Sequence, residues 1–283
     1  MWQIGELTVR KLVEKGATWP GTVLLPDAVP EALLAHGHLR PDFVSEDGRI
    51  FISFHSFLVE VGDRRIVVDT CAGNDKPRER PFGYLSTDYL ERMTAAGFGP
   101  DDVDTVICTH LHVDHVGWNT RLVDGRWVPT FPNARYVFVR GECEYWAVNK
   151  TENSGGGAIF EDSVQPVIDA GLADLVEPGA EVAPGVTLEL TPGHTPGHCA
   201  VRLRSGGQEG VITGDLIHHP VQVEHPRWPC GADWDPAQGS ATREAFVAEQ
   251  GSAATLVLGT HFAGSSAGRV VASGEGWRWS PLG

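Results

Sequence analysis

Residues Thr109 to Gly117 read T-H-L-H-V-D-H-V-G, which places His110, His112, Asp114 and His115 within six positions. Imidazole and carboxylate are the nitrogen and oxygen donors that zinc and related divalent cations prefer. Buried with nothing between them, four such groups would leave polar atoms unpaired at a cost of several kcal/mol. This segment therefore constrains the fold more than any other. It reads first as a metal site, and the chain must be one that can build such a site.

The 283 residues are 41% hydrophobic and 21% charged, which suits one large globular domain or two small ones with ample core. The net charge of −15 argues against binding nucleic acid phosphates or anionic lipid. The five cysteines (Cys71, Cys108, Cys143, Cys199 and Cys230) are odd in number and widely spaced, so a reducing, cytoplasmic setting without a disulfide framework is expected. The first residues show no basic stretch leading into an apolar run, so no signal peptide is expected. No stretch approaches the ~20 apolar residues that cross a bilayer.

The pattern along the chain predicts alternating strands and helices. A strand is expected over 7–13, then an irregular N-terminal arm over 16–49, rich in Gly, Pro and polar residues. Residues 51–61 and 65–69 alternate around Gly62-Asp63 and predict a hairpin. Helices are expected over 86–96, from 141 to 148 and over 240–250; strands over 103–108, 135–139, 186–190, 200–203, 210–213 and 255–258. Asn149 to Gly157 is polar and glycine-rich, and reads as a loop or lid. His36 and His38 read as solvated loop residues.

Three further donors follow predicted strands. His194 sits in T-P-G-H-T-P-G-H, a stiff turn that fixes a side chain's direction. Asp215 follows Thr213-Gly214, and His261 follows Gly259-Thr260. With these residues the chain resembles the metallo-β-lactamase-fold metallohydrolases over roughly 50–265. It is similar to the quorum-quenching lactonases and to the methyl parathion hydrolase-like members. The resemblance implies an α/β fold, an αββα sandwich of two mixed β-sheets flanked by helices. It is expected to form a single domain over 1–283 with 1–49 as its arm. The resemblance also implies one metal held by His110, His112 and His194, a second held by Asp114, His115 and His261, and Asp215 bridging them. Asp69 matches the family's strand-end aspartate and is expected to orient a ligand or a loop, and His198 to support the site without binding metal. Zinc is the first choice for both ions, and iron, manganese and cobalt suit the same donors.

Seven donors are too many for one tetrahedral ion but suit two ions sharing a carboxylate and a hydroxide. The expected reaction is hydrolysis of a carboxylic ester or lactone by a metal-bridging hydroxide. The alternative is a phosphotriester, and a metal-binding or sensor protein without turnover is the reading from a different class. Asp114 or Asp215 is expected to move the proton. The lactonases of this fold often carry tyrosine three residues after the bridging aspartate; here that position is His218, read either as a donor to the developing oxyanion or as a packing residue. Phe51, Phe54, Trp118, Phe160, Trp228 and Trp234 are candidates for an apolar pocket wall. The expected partner is a small, hydrophobic ester or lactone rather than nucleic acid or membrane, with room for a homodimer.

Overall fold

The computed structural model describes residues 1–149 and 158–282. The expected loop or lid after Asn149 lies outside the described residues.

The first half supplies β1 (Trp2–Ile4), β2 (Leu7–Pro20), β3 (Arg49–Val61), β4 (Arg64–Val68), β5 (Thr105–Ile107), the short hairpin β6 (Thr120–Val123) and β7 (Arg126–Pro129), β8 (Arg135–Val139) and β9 (Ala173–Val176). The second half supplies β10 (Glu181–Ala183), β11 (Val186–Leu190), β12 (Cys199–Ser205), β13 (Gln208–Ile212), β14 (Leu256–Leu258), β15 (Ala267–Ser273) and β16 (Gly276–Pro281). The α-helices are α1 (Pro30–Ala35), α2 (Tyr89–Ala95), α3 (Arg140–Val148), α4 (Ile159–Ser163), α5 (Gln165–Asp169), α6 (Val221–Glu224) and α7 (Pro236–Gly251).

Two seven-stranded mixed sheets result, in the orders β1-β2-β3-β4-β5-β8-β9 and β10-β11-β12-β13-β14-β15-β16. The first is antiparallel up to β4 and parallel from β4 to β9; in the second, only β13 and β14 run parallel. Alternation decides how they pack. Phe57, Val59, Ile66, Val68, Ile107 and Val137 from one sheet meet Val186, Leu188, Val201, Leu203, Ile212 and Leu258 from the other in one buried layer. The residues between them in sequence, such as Leu58, Val67, Val106, Tyr136 and Val257, face outward and are covered by Tyr89, Met93, Phe246, Val247 and other helix and loop residues. This is the expected αββα sandwich.

The N-terminal region departs from expectation. Its first residues are sheet: β2 pairs with β3 from Thr8 to Pro20, with a register shift between Val13 and Lys15. Gly16 and Pro20 suggested an irregular chain, but a long partner strand imposes extension on both. Only 21–48 lies outside the strands, and it contains α1. The predicted hairpin, the helices and the inner strands appear within a few residues of their expected limits; the hairpins β6–β7 and β15–β16 were not read from sequence.

Several strand carboxyl ends share one edge of the sandwich. The segments after β4, β5, β11, β13 and β14 carry Asp69, the His110 cluster, His194, Asp215 and His261 respectively. Glycine permits the closest approach between two of these segments: a Cβ on Gly117 would lie 1.9 Å from the carbonyl carbon of Ala72. Gly117→Ala is thus expected to lower stability by ~1–3 kcal/mol. Urea unfolding checks this; an unchanged midpoint would mean the two loops separate freely.

Candidate metal centre

The site is organised around one carboxylate. Asp215 follows β13 on Gly214, which has a positive φ (+52°) and on which a Cβ would lie only 2.5 Å from His198 Nε2. The Asp215 backbone N–H donates to His198 Nε2 at 2.8 Å, so the His198 proton sits on Nδ1 and donates to the Thr191 carbonyl at 3.1 Å. Burial, and next the neighbouring His194, push His198 down to about 3, so it stays neutral. His198 thus orients Asp215, the supporting role expected of it.

The two oxygens of Asp215 face two different groups of side chains. Oδ2 lies 3.3 Å from His194 Nε2 and 3.7 Å from His110 Nε2. Oδ1 lies 3.2 Å from His115 Nε2 and 3.0 Å from His261 Nε2. His112 joins the first group through Nδ1, 2.9 Å from His194 Nε2. Asp114 joins the second, 3.7 Å from His115 Nε2 and 3.6 Å from His261 Nε2. All seven sequence-nominated residues therefore converge, in the two expected sets. His218 is also here, with Nε2 3.1 Å from Asp215 Oδ2 and its backbone N–H donating to Gln222 Oε1 at 2.8 Å.

Most of these imidazoles have their outer nitrogen committed elsewhere, which aims the inner one. His115 Nδ1 pairs with Asp69 Oδ2 at 2.9 Å, His194 Nδ1 with Asp233 Oδ1 at 2.9 Å, and His261 Nδ1 with the Ser53 carbonyl at 3.2 Å. Asp69 also accepts from the Thr109 backbone N–H at 2.8 Å, which fixes the turn out of β5. Asp233 and Glu142 were missed from sequence. Glu142 is buried on α3 and accepts from the backbone N–H groups of Leu111 (3.1 Å) and Gly197 (2.9 Å), tying the His110 loop to the His194 loop. Neither had a local signal, because each is a single acid in an unremarkable segment. On α7, capped by Asp235, the buried Arg243 donates to the carbonyls of Leu216, Pro226 and Trp228 and so braces the loop that carries His218.

The donor set fits divalent cations. His110 Nε2, His115 Nε2 and Asp215 Oδ1 are buried without a hydrogen-bond partner, although each lies near the others. Such orphaned atoms cost about 1–3 kcal/mol each unless something satisfies them. His110, His112, His194 and Asp215 form one group of mutually close donors, and Asp114, His115 and His261 another.

Charge is unevenly shared. Burial, then the neighbouring His115, holds His110 well below its usual pKa; burial, then His194, does the same for His112, so both are neutral. Burial also acts to lower His194 and His115, but carboxylates outweigh it. Asp215 and Asp233 raise His194 to about 9, and Asp215 with Asp69 raises His115 well above its usual value. Burial would raise Asp215, yet the surrounding imidazoles, His115 and His261 foremost, hold it well below the ordinary carboxylate range.

A cavity of about 280 Å³ opens onto the centre. His112, Asp114, His194, Asp215, His218 and His261 line it, with an apolar wall of Trp19, Leu24, Ile52, Phe54 and Phe82. Trp19 and Leu24 come from the N-terminal region, which therefore covers the site. Of the nominated aromatics, only Phe54 lines this cavity. Trp234 lines an adjoining one of about 270 Å³ that shares His112 and His194. Trp118 stacks on Tyr89, Phe160 is core and Trp228 stacks on His225. Phe51 lines a groove elsewhere. Sequence proximity to a motif did not predict the face on which these rings lie.

Comparison with known proteins agrees with the geometry. Residues 55–261 match the Metallo-beta-lactamase superfamily. The N-acyl homoserine lactonase AiiA of Bacillus thuringiensis is 33% identical over 171 residues, 55% of this chain and 60% of that protein. The N-acyl homoserine lactonase AttM of Agrobacterium fabrum is 34% identical over 118 residues, 41% of each. The chain thus spans about half the length of these curated relatives. Among solved structures, the hydrolase AbOPH superposes with a TM-score of 0.81 at 24% identity, covering 100% of this chain and 96% of its own. AidC, a dizinc quorum-quenching lactonase in complex with a product, gives 0.79 at 21% identity over 100% and 96%. At these identities the two structures speak to the fold.

A cation entering this centre must displace the protons that the carboxylates hold on His115 and His194. Zinc titrated into metal-free protein at pH 7 is therefore expected to release protons, and its affinity to rise with pH from neutrality through about 9, where His194 loses its proton. Titration calorimetry in buffers of different ionisation enthalpy reads this; uptake without proton release would contradict it. Asp233→Asn, which unlocks His194, is expected to weaken metal binding ~10–100-fold.

Proposed function

The chain belongs to the metallo-β-lactamase superfamily, and on that premise we propose that it hydrolyses carboxylic esters or lactones with two divalent cations, zinc by first choice. His110, His112 and His194 would hold one cation and Asp114, His115 and His261 the other, with Asp215 shared. The observation that carries this reading is the split of Asp215, one oxygen toward each set of donors. Bound cations supply Lewis acidity toward a substrate oxygen and bring the pKa of water down to about 7.

The chain's own residues do the rest. Asp215 stays anionic beside the reacting centre, and Asp114, the more exposed of the two, would carry a proton between the cavity and the leaving oxygen. His218 lines the cavity, and its Nδ1 is buried without a partner. A neutral imidazole carries one N–H. Donation from Nδ1 to a developing oxyanion would leave the Nε2 lone pair facing Asp215 Oδ2, 3.1 Å away, and the positive charge of bound cations would offset that repulsion. Burial keeps His218 below its usual pKa, so it is neutral at pH 7 and has one proton to place. The apolar wall excludes water and accepts an acyl or alkyl group. The lactonase relatives support the lactone as substrate class.

Lactones, aryl esters and a phosphotriester assayed with and without chelator test the proposal. Turnover of an ester or lactone, lost on chelation, is expected. A phosphotriester consumed far faster than every ester and lactone would overturn the substrate class, and no turnover at all would favour a metal-binding or sensor role. His110→Ala is expected to fall to the chelated level. His218→Phe is expected to lower kcat ~100-fold with a smaller change in KM; an unchanged kcat would remove His218 from the chemistry.

A further inference from the structure

We propose that His36, His38 and Glu224 form a further divalent-metal site, separate from the cavity, that clamps the N-terminal region onto the loop carrying His218. This proposal stands apart from the assignment of the main centre. It begins from His36-Gly37-His38, which sequence alone left as solvated loop, and from Glu224 at the end of α6, nearly two hundred residues away.

The three side chains meet. Glu224 Oε2 lies 2.9 Å from His36 Nδ1, and Oε1 lies 2.6 Å from His38 Nε2. Their donor atoms all fall within 4.8 Å of one another. Two details separate this from an ordinary ion pair. Glu224 Oε1 is buried and makes no hydrogen bond, despite the 2.6 Å approach of an imidazole nitrogen, so the two atoms are close in a geometry that a shared proton does not explain. Behind them, His36 Nε2 lies 2.9 Å from His225 Nε2. The His225 ring is held flat on Trp228, with centroids 4.2 Å apart and planes at 7°. His36 Nδ1 in turn hydrogen-bonds Glu224 Oε2 at 2.9 Å, so the ring is held from both sides with Nδ1 aimed at the carboxylate, as a supporting residue aims a metal-ligating imidazole.

Two imidazoles and one carboxylate suit zinc and its neighbours, with water completing four-coordination. His36 follows α1, and Glu224 lies two residues after Gln222, which receives the His218 backbone N–H. A cation here would therefore join the region that supplies Trp19 and Leu24 to the loop that positions His218. Two parts of the substrate cavity would be fixed relative to each other.

The test is metal stoichiometry, which needs no activity. Metal-free protein, His38→Ala and Glu224→Gln are each loaded with zinc, desalted and measured by elemental analysis. Each variant is expected to retain one equivalent fewer than the parent, whatever number the main centre holds. Zinc is also expected to raise the melting temperature of the parent more than that of His38→Ala, a surface change whose metal-free protein should melt with the metal-free parent. Equal zinc content in parent and His38→Ala would overturn the proposal; adventitious binding, stripped by desalting, gives that result. Glu224→Gln counts only if it melts cooperatively, and His38→Ala decides the question without it.

Discussion

Everything at this protein's centre turns on a buried anion surrounded by imidazoles. Asp215 lies within 3.7 Å of nitrogens from His110, His115, His194, His218 and His261. Among them, His110 Nε2, His115 Nε2 and Asp215 Oδ1 stand buried without hydrogen bonds. Imidazole and carboxylate donors left in this way suit a divalent cation. The fold can then be understood as what it takes to hold these groups in place.

Holding them is the task of acids and glycines one step away. Asp69, Asp233 and Glu142 each accept from two or more groups, and each joins a loop that carries a donor to something rigid. Buried carboxylates are tolerated there because backbone N–H groups and imidazoles pair with them. Glu142 sits above the ordinary carboxylate pKa because burial outweighs its hydrogen bonds, and it still anchors two loops through their backbone N–H groups. Gly117 and Gly214 supply the close approaches that side chains would forbid. The strands bring the loops to one edge, and these contacts set their final direction.

How much of this could be read from the residues follows from range. The H-x-H-x-D-H cluster, the stiff Pro-Gly turns around His194, and Asp215 and His261 after apolar strands all carry local signals, and the structure gathers all of them. The two-sheet sandwich was legible through the resemblance, and the strand pattern merely fitted it. The extension of β2 past Gly16 was not, since it comes from pairing with β3. Asp233 and Glu142 had no local mark, because their partners lie up to 55 residues away in sequence. The aromatic wall was mostly misassigned for the same reason: Trp19, Leu24 and Phe82 reach the cavity from other segments. His36 and His38 looked solvated because Glu224 and His225, which meet them, are distant in the chain.

The N-terminal region thus belongs to the site, closing one wall of the cavity and meeting the His218 loop at Glu224. The most direct test of the account is anomalous diffraction at the zinc edge from crystals of zinc-loaded protein. Two strong peaks are expected at the centre, one bounded by His110, His112 and His194 and the other by Asp114, His115 and His261, each touching a different oxygen of Asp215. A single peak there, or none, would contradict the claim that this carboxylate is built to stand between two cations.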